Sequence, residues 1–342
     1  MEHAMIEREK IDKFYSCISG AKKVVLFGHV NPDGDSVGSL SGMYDFLANN
    51  GIEAERIVPS AYPGFLAFLD PEKRITVYNN DKEKALCAVK EADLMICLDF
   101  NSFSRIDEIG EVASRSGAVK ILIDHHLFPD KAFDLAISDT EVSSTCELVY
   151  IVIEELLKLY PAAPLSLAGE TALYTGIMTD TNNFANSVRP DTFRIASLLM
   201  EHGVDKTAVQ QLVFGGFSEE RMRLMGYMLY ENMKVVPELK ASVMVLDKVT
   251  KEKFGFKTGD SEGFVNLGLN IAGVDVAALF TEDDGYLRVS LRSKGDFSVN
   301  SLAKEFFNGG GHRNASGGRV YMPVSEIAEY YFDAVRKYRH TI

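Results

Sequence analysis

The chain predicts an α/β protein with a mostly parallel-sheet N-terminal domain. A helical connector joins it to a smaller α/β C-terminal domain. Three observations carry this reading. Short, continuous apolar runs alternate with stretches of helical spacing over the first half, the signature of strand–helix–strand units with covered sheet faces. Several of these runs end directly in aspartate or histidine. From about Leu239 the pattern changes to strands joined by hairpin chemistry. At 342 residues the chain is long enough for two domains, divided here as 1–205, a connector over 206–238, and 239–342.

In order along the chain, Val24-Val25-Leu26-Phe27 is a short buried strand. Ser36 to Asn50 is a helix, with Val37, Leu40, Met43, Tyr44 and Leu47 on one side, Asp35 or Ser36 as its cap and Gly51 as a left-handed stop. Leu94 to Leu98 and Val119 to Ile123 are further buried strands. Cys146 to Tyr160 is a helix ended by Pro161, and Leu167 to Met178 and Thr192 to His202 are helical. Lys206 to Met233 reads as one or two amphipathic helices, broken at Gly215-Gly216. Beyond them, Ala241 to Leu246, Val274 to Phe280 and Leu287 to Leu291 are strands, with Asp283-Asp284-Gly285 as turn. Val299 to Phe307 is a helix, Gly309-Gly310-Gly311 interrupts, and a strand near Arg319 to Met322 precedes a helix over Val324 to Tyr338.

Composition is that of a globular protein, with 46% hydrophobic and 25% charged residues. No apolar run approaches the roughly 20 residues that span a bilayer, and the charged stretch Met1 to Lys23 lacks a signal-peptide core. The expected location is the cytoplasm, without membrane partners. Cys17, Cys87, Cys97 and Cys146 show no metal-ligand spacing and read as buried, reduced thiols. The formal net charge of -13 argues against a grip on long duplex nucleic acid. Residues 286–342 nevertheless hold nine Lys/Arg against five Asp/Glu. That distribution suits a small anionic substrate.

The chemistry concentrates where apolar segments end. The first strand runs into Gly28-His29-Val30-Asn31-Pro32-Asp33-Gly34-Asp35, the second into Asp99, the third into Asp124-His125-His126, and Gly176-Ile177-Met178-Thr179 into Asp180. Ligands of open α/β sheets collect at the carboxyl ends of the strands, so these ends predict one shared metal cluster of His29, Asp33, Asp35, Asp99, His125 and Asp180. Four carboxylates in one crevice repel one another unless cations neutralise them. A carboxylate-rich set with imidazole suits manganese or magnesium, manganese being favoured by the histidines.

These segments resemble the motifs of the DHH phosphoesterase family, whose name matches Asp124-His125-His126. The residues 28–36 are similar to its first motif, Asp99 to its second and Thr179-Asp180-Thr181 to its fourth. Gly309-Gly310-Gly311-His312-Arg313-Asn314-Ala315-Ser316-Gly317 resembles the Gly-Gly-Gly-His motif of the DHH-associated substrate domain. Size and layout look most like the NrnA-type oligoribonucleases, which also remove a phosphate from 3'-phosphoadenosine 5'-phosphate. The resemblance implies two manganese ions, with magnesium or cobalt as substitutes. One would be held by His29, Asp33 and Asp99, the other by Asp35, Asp99, His125 and Asp180. It further implies that Asp124 orients a histidine and that His126 faces the substrate phosphate. Asn182 stands where many relatives have glycine, which bears on the shape of the adjoining pocket.

For the substrate, Gly310 and Gly311 let backbone N–H groups approach an anion, and His312 adds a side-chain donor. Arg292 and Ser293 are phosphate contacts by resemblance. Arg288 lies on the same strand face as Arg292 and is a second contact or solvated surface. Arg105 meets the scissile phosphate or pairs with Asp107 or Glu108. The expected activity is manganese-dependent hydrolysis of very short single-stranded RNA to mononucleotides, with phosphatase action on 3'-phosphoadenosine 5'-phosphate. A linear or cyclic dinucleotide phosphodiesterase is the nearest alternative; a non-catalytic nucleotide-binding module is a more distant one. The Gly-Gly-Gly-His motif argues against a family II pyrophosphatase. Oligomeric state is not legible.

Overall fold

A computed structural model describes residues 6–341. By its internal packing the chain divides into two compact units, residues 1–216 and 217–342. The stretch 206–238 is therefore shared. The helix Lys206–Gln210 and a π-helical turn Gln211–Gly215 belong to the first unit, and the helix Glu219–Tyr227 belongs to the second.

The N-terminal unit is built on a six-stranded sheet: β1 (Val24–Phe27), β2 (Ala54–Val58), β3 (Ile75–Val77), β4 (Leu94–Leu98), β5 (Val119–Asp124) and β6 (Leu135–Ser138). Their order is β3-β2-β1-β4-β5-β6 and every neighbouring pair is parallel. The direction of winding reverses between β1 and β4, where a crevice opens at the carboxyl ends. The continuous apolar strands are explained by two-sided burial. Leu26, Ile96 and Ile123 pack on one face beneath the helices Arg8–Gly20, Gly34–Asn49, Thr145–Leu159 and Leu167–Asp180. Val25, Phe27, Cys97 and Leu122 pack on the other, beneath Lys82–Glu91 and Asp107–Arg115.

The helix that follows β1 begins at Gly34, earlier than its sequence suggests. Asp33, in extended backbone, is the cap rather than Asp35 or Ser36, and its carboxylate accepts the N–H groups of Asp35 and Ser36, both at 3.1 Å. At the far end Gly51 takes φ +73°. Its N–H donates to Ala48 O (3.0 Å) and that of Ile52 to Leu47 O (2.9 Å), which closes the helix as expected. One face of this helix is a run of glycines, Gly34, Gly38 and Gly42, against the helix Leu167–Asp180. A Cβ at Gly38 would lie 2.6 Å from Ala172 O, and one at Gly42 would lie 2.4 Å from Leu173 Cδ2. Gly176 on the facing helix abuts Cys146 Sγ in the same way.

The C-terminal unit holds β7 (Lys234–Val236), β8 (Ala241–Leu246), β9 (Val276–Glu282), β10 (Leu287–Ser293), β11 (Gly310–Gly311) and β12 (Ala315–Val320) in the order β11-β12-β10-β9-β8-β7. Only β8 and β9 are parallel; the other pairs are antiparallel. The helices Val299–Phe306 and Ile327–Thr341 cover one face, where Phe280, Phe307 and Tyr331 pack together, and Phe264–Leu269 covers the other. The last strand begins at Ala315, not near Arg319. Gly317 and Gly318 carry no side chains to display alternation, yet they pair with Ser290 and Val289.

Two of the four thiols are not buried: Cys87 is exposed and Cys17 is half-buried, while Cys97 and Cys146 are enclosed. Among the described residues, no helix is long and apolar enough to cross a membrane.

Candidate metal centre

The loops leaving β1, β4 and β5 converge above the winding reversal. Asp180 joins them from a different kind of element. It is the last residue of a helix, not of a strand, and the glycine contact brings that helix end to the crevice. The sequence-derived cluster thus assembles from three strand ends and one helix end.

His29 Nε2 lies 3.2 Å from Asp99 Oδ2 and 3.8 Å from Asp33 Oδ1. His125 Nε2 lies 3.6 Å from Asp99 Oδ1 and 3.7 Å from both Asp35 Oδ2 and Asp180 Oδ2. Two donors at about 2.1 Å from one ion are about 3.0 Å apart when adjacent and about 4.2 Å when opposite. The donor spacings therefore fit divalent cations. Two triads, His29/Asp33/Asp99 and Asp35/His125/Asp180, each gather their donor atoms within 4.8 Å of one another. Asp99 faces both histidines, one with each oxygen.

Local structure aims these groups. His29 Nδ1 donates to Val30 O at 2.8 Å, which turns Nε2 toward the carboxylates as the nitrogen that would ligate a cation. Asp99 holds φ +65°, a left-handed backbone that swings its carboxylate out of the line of β4. Asn182 has φ +50°. Asparagine tolerates that conformation better than most residues, so the departure from glycine keeps the turn after Asp180.

The electrostatics are those of a cation-binding pocket. Burial disfavours charge on His29, yet Asp33 and Asp99 overcome it and push its pKa up to about 10. His125, equally buried, is pushed up to about 9 by Asp180, Asp35 and Asp99. Burial and then Asp35 lift Asp99 well above the ordinary carboxylate range. His126 differs. Burial lowers its pKa despite Asp124, and its Nδ1–H donates to Asp124 Oδ1 at 2.7 Å. Asp124 is fully buried, and its Oδ2 has no hydrogen-bond partner among the described residues.

Sequence reasoning missed the groups behind the carboxylates. The helix Thr145–Leu159 points its N-terminus at Asp35, with the N–H groups of Thr145 and Cys146 donating to its two oxygens at 2.7 and 2.8 Å. The Thr145 hydroxyl donates to Asp99 Oδ1 at 3.0 Å. Fully buried Glu147 accepts from Ser143 N–H (3.1 Å), the Ser143 hydroxyl and Thr192 Oγ1 (2.8 Å), and pairs with Arg189 at 3.1 Å. This network fixes the start of the helix. The signal was present as the Ser144-x-x-Glu147 spacing of a capping box: Ser144 Oγ accepts the Glu147 N–H at 3.0 Å.

Arg105 sits in the turn after β4, its carbonyl accepting the Val30 N–H at 2.9 Å. Glu108 pairs with Lys82 instead of with Arg105, and the Arg105 Nε is buried without a hydrogen-bond partner among the described residues.

In the C-terminal unit, Arg288 and Arg292 lie on the same face of β10, both partly exposed. Arg292 donates to Leu291 O at 3.0 Å, and Arg288 stands 3.9 Å from Asp283. Ser293 is buried, and its hydroxyl donates to Phe297 O (2.6 Å) and accepts from Asn314 (2.9 Å). That commits it to the fold. The glycine motif is also used differently from an anion-cradling loop. Gly310 and Gly311 form the edge strand on Gly317 and Ser316. A Cβ at Gly311 would lie 2.7 Å from Ala315 O, whereas one at Gly310 would meet nothing closer than 3.9 Å. The backbone of His312 is held by Ala315 (2.7 Å), and its carbonyl accepts the Ser316 hydroxyl (2.8 Å).

Comparison with known proteins extends over the whole chain. Residues 23–177 match the DHH family, N-terminal domain, and residues 240–335 match the DHHA1 domain. The bifunctional oligoribonuclease and PAP phosphatase NrnA of Bacillus subtilis (strain 168) is 30% identical over 302 residues, covering 87% of this chain and 89% of that protein. The crystal structure of an exopolyphosphatase-related protein from Bacteroides fragilis is similar with a TM-score of 0.91 at 40% identity, covering 99% of each chain. RecJ of Thermus thermophilus, solved in complex with manganese, shares the fold at TM-score 0.55 and 16% identity, covering 98% of this chain and 55% of RecJ.

Proposed function

Starting from the chain's membership of the DHH family, with a DHHA1 domain later in the sequence, we propose that it is a metal-dependent phosphoesterase that degrades very short RNAs. Removal of the 3'-phosphate of 3'-phosphoadenosine 5'-phosphate belongs to the same reading. The observation that carries it is the pair of donor triads joined by Asp99, within ion-binding distance of each other. The named activities of the Bacillus subtilis relative support the substrate class.

In this reading His29, Asp33 and Asp99 would hold one divalent cation, and Asp35, Asp99, His125 and Asp180 would hold a second, manganese in both. Bound there, such ions polarise a phosphoryl group and neutralise charge on the attacking and leaving oxygens. The protein's own residues do the rest. Asp99, with one oxygen facing each histidine, would be the residue common to both sites. The helix N-terminus at Thr145 and Cys146 holds Asp35 in place through both carboxylate oxygens. Asp124 holds His126 with Nδ1 protonated, so Nε2 is the nitrogen that can accept a proton near the scissile phosphate. Arg105 offers charge to the same phosphate. Arg292, Gly310 and His312 in the DHHA1 unit contact substrate, with Arg288 beside them. Gly311 and Ser293 shape that surface through their backbone and internal bonds.

The test is product chromatography. The manganese-loaded protein is incubated separately with 3'-phosphoadenosine 5'-phosphate, pyrophosphate, a linear dinucleotide, a cyclic dinucleotide and RNAs of graded length. Mononucleotides from the shortest RNAs and adenosine monophosphate from the phosphatase substrate are expected. Cleavage of the cyclic dinucleotide alone would replace this reading with the phosphodiesterase one, and cleavage of pyrophosphate alone would overturn both.

A further inference from the structure

Phe128 lies two residues beyond His126 and is 72% exposed, more than any other phenylalanine among the described residues. Large apolar rings are more often buried than exposed to this extent. Its backbone carries a cost, because φ is +61°, a conformation that bulky side chains rarely adopt. The loop is nevertheless firmly held. Asn101 Nδ2 donates to Leu127 O at 2.7 Å, and the Asp130 N–H donates to Asn101 O at 2.8 Å. Asn101 itself follows Asp99 by two residues. The loop bearing the ring is thus tied to the loop bearing the shared carboxylate. From His126 to Phe128 the chain spans at most about 7 Å, the reach that separates phosphate from base within one nucleotide.

A charged group also stands near His126. Arg105 is close enough for its charge to act on that ring, makes no ion pair among the described residues, and has a buried Nε without a hydrogen-bond partner. An aromatic face and an available guanidinium beside a phosphoryl-transfer site are the two halves of nucleotide recognition.

We propose that the ring of Phe128 is a stacking surface for a nucleobase of the substrate, forming with Arg105 a nucleotide subsite at the rim of the metal centre. The proposal rests on the phosphoesterase reading and adds a base-recognition element to it. Stacking uses the π-face that every base has, so the subsite accepts all four bases and favours purines for their larger area.

The experiment compares wild type, Phe128→Ala and Phe128→Tyr with manganese and three substrates: diadenylate and the two analogues that are abasic at one position each. Phe128→Ala is expected to lower kcat/KM for diadenylate about tenfold or more, and to reduce the preference over one abasic analogue by the same factor. Phe128→Tyr, which keeps the ring, retains most of that preference. An equal loss on all three substrates would mean that the ring only steadies the loop, and an unchanged kcat/KM would remove any role; either result overturns the proposal. If wild type turns over no dinucleotide, the phosphoesterase reading fails by itself. Calorimetric titration with adenosine monophosphate then decides separately: weaker binding to Phe128→Ala supports stacking, and equal binding overturns it.

Discussion

At the scale of single residues, Thr145 has the most specific consequence. One residue holds two carboxylates, Asp35 through its N–H and Asp99 Oδ1 through its hydroxyl. The second contact falls on the oxygen that faces His125, not on the one that faces His29. Thr145→Val keeps the backbone contact and the shape but removes the hydroxyl. Groups that orient metal ligands are worth about ten- to hundredfold in affinity. Manganese titration should therefore show one weakened site and one site near its wild-type affinity, with Thr145→Ser restoring the first. Equal weakening of both would mean a general loss of structure. The raised pKa values of His29 and His125 give a second expectation. In metal-free protein each proton contributes stability that is complete below about pH 6.5, the unfolded value, and is lost as pH rises through about 9 and about 10. Raised Asp99 acts in the same direction. Metal-free protein should lose thermal stability between pH 6.5 and 10, and the Tm gain on adding manganese should grow across that interval. A gain that shrinks as pH rises would contradict the assignment of these histidines as ligands.

Among the elements, the glycine face of the helix Gly34–Asn49 places Asp180. By propensity alone Gly38→Ala should stabilise a helix interior by about 1 kcal/mol. Here the new Cβ would lie 2.6 Å from a backbone carbonyl oxygen that cannot give way without moving the facing helix. Overpacking costs about 1–3 kcal/mol, so packing wins over propensity. A lower Tm and weaker manganese binding should appear together, since the displaced helix carries Asp180; a raised Tm would refute the packing argument.

The same elements show what the sequence reveals and what it hides. The central strands β1, β4 and β5 are legible because two-sided burial demands unbroken apolar runs, and the clustering of His29, Asp99 and His125 is legible because they follow the ends of those runs. Hidden were β2, β3 and β6, which lie toward the sheet edges, are short, and in β2 include charged Glu55 and Arg56. Arg56 is nonetheless buried against Asp70 at 2.9 Å, a tertiary pairing with no local trace. The strand pairing of Gly310 and Gly311 was hidden for a related reason. A glycine required by another backbone and a glycine required by a ligand look identical in sequence.

For the molecule as a whole, two units with separate sheets and cores imply separable functions. Arg292→Ala should raise KM for short RNA about tenfold, as for loss of a charge-assisted phosphate contact, while manganese stoichiometry and affinity stay at wild-type values. Loss of manganese in that variant would contradict the division of labour. The net charge of -13 fits this arrangement: the acidic excess is expected to fall when the centre is filled, and long polyanions find no extended basic track in the sequence.

The central claim, that one cluster of six residues holds two cations that together hydrolyse phosphoesters, is tested most directly by titrating manganese into metal-free protein while following turnover of a linear dinucleotide. Turnover should stay near zero through the first equivalent, rise with the second, and be absent at any manganese level in Asp99→Asn. Full turnover at one equivalent, or in Asp99→Asn, would contradict a shared two-cation centre.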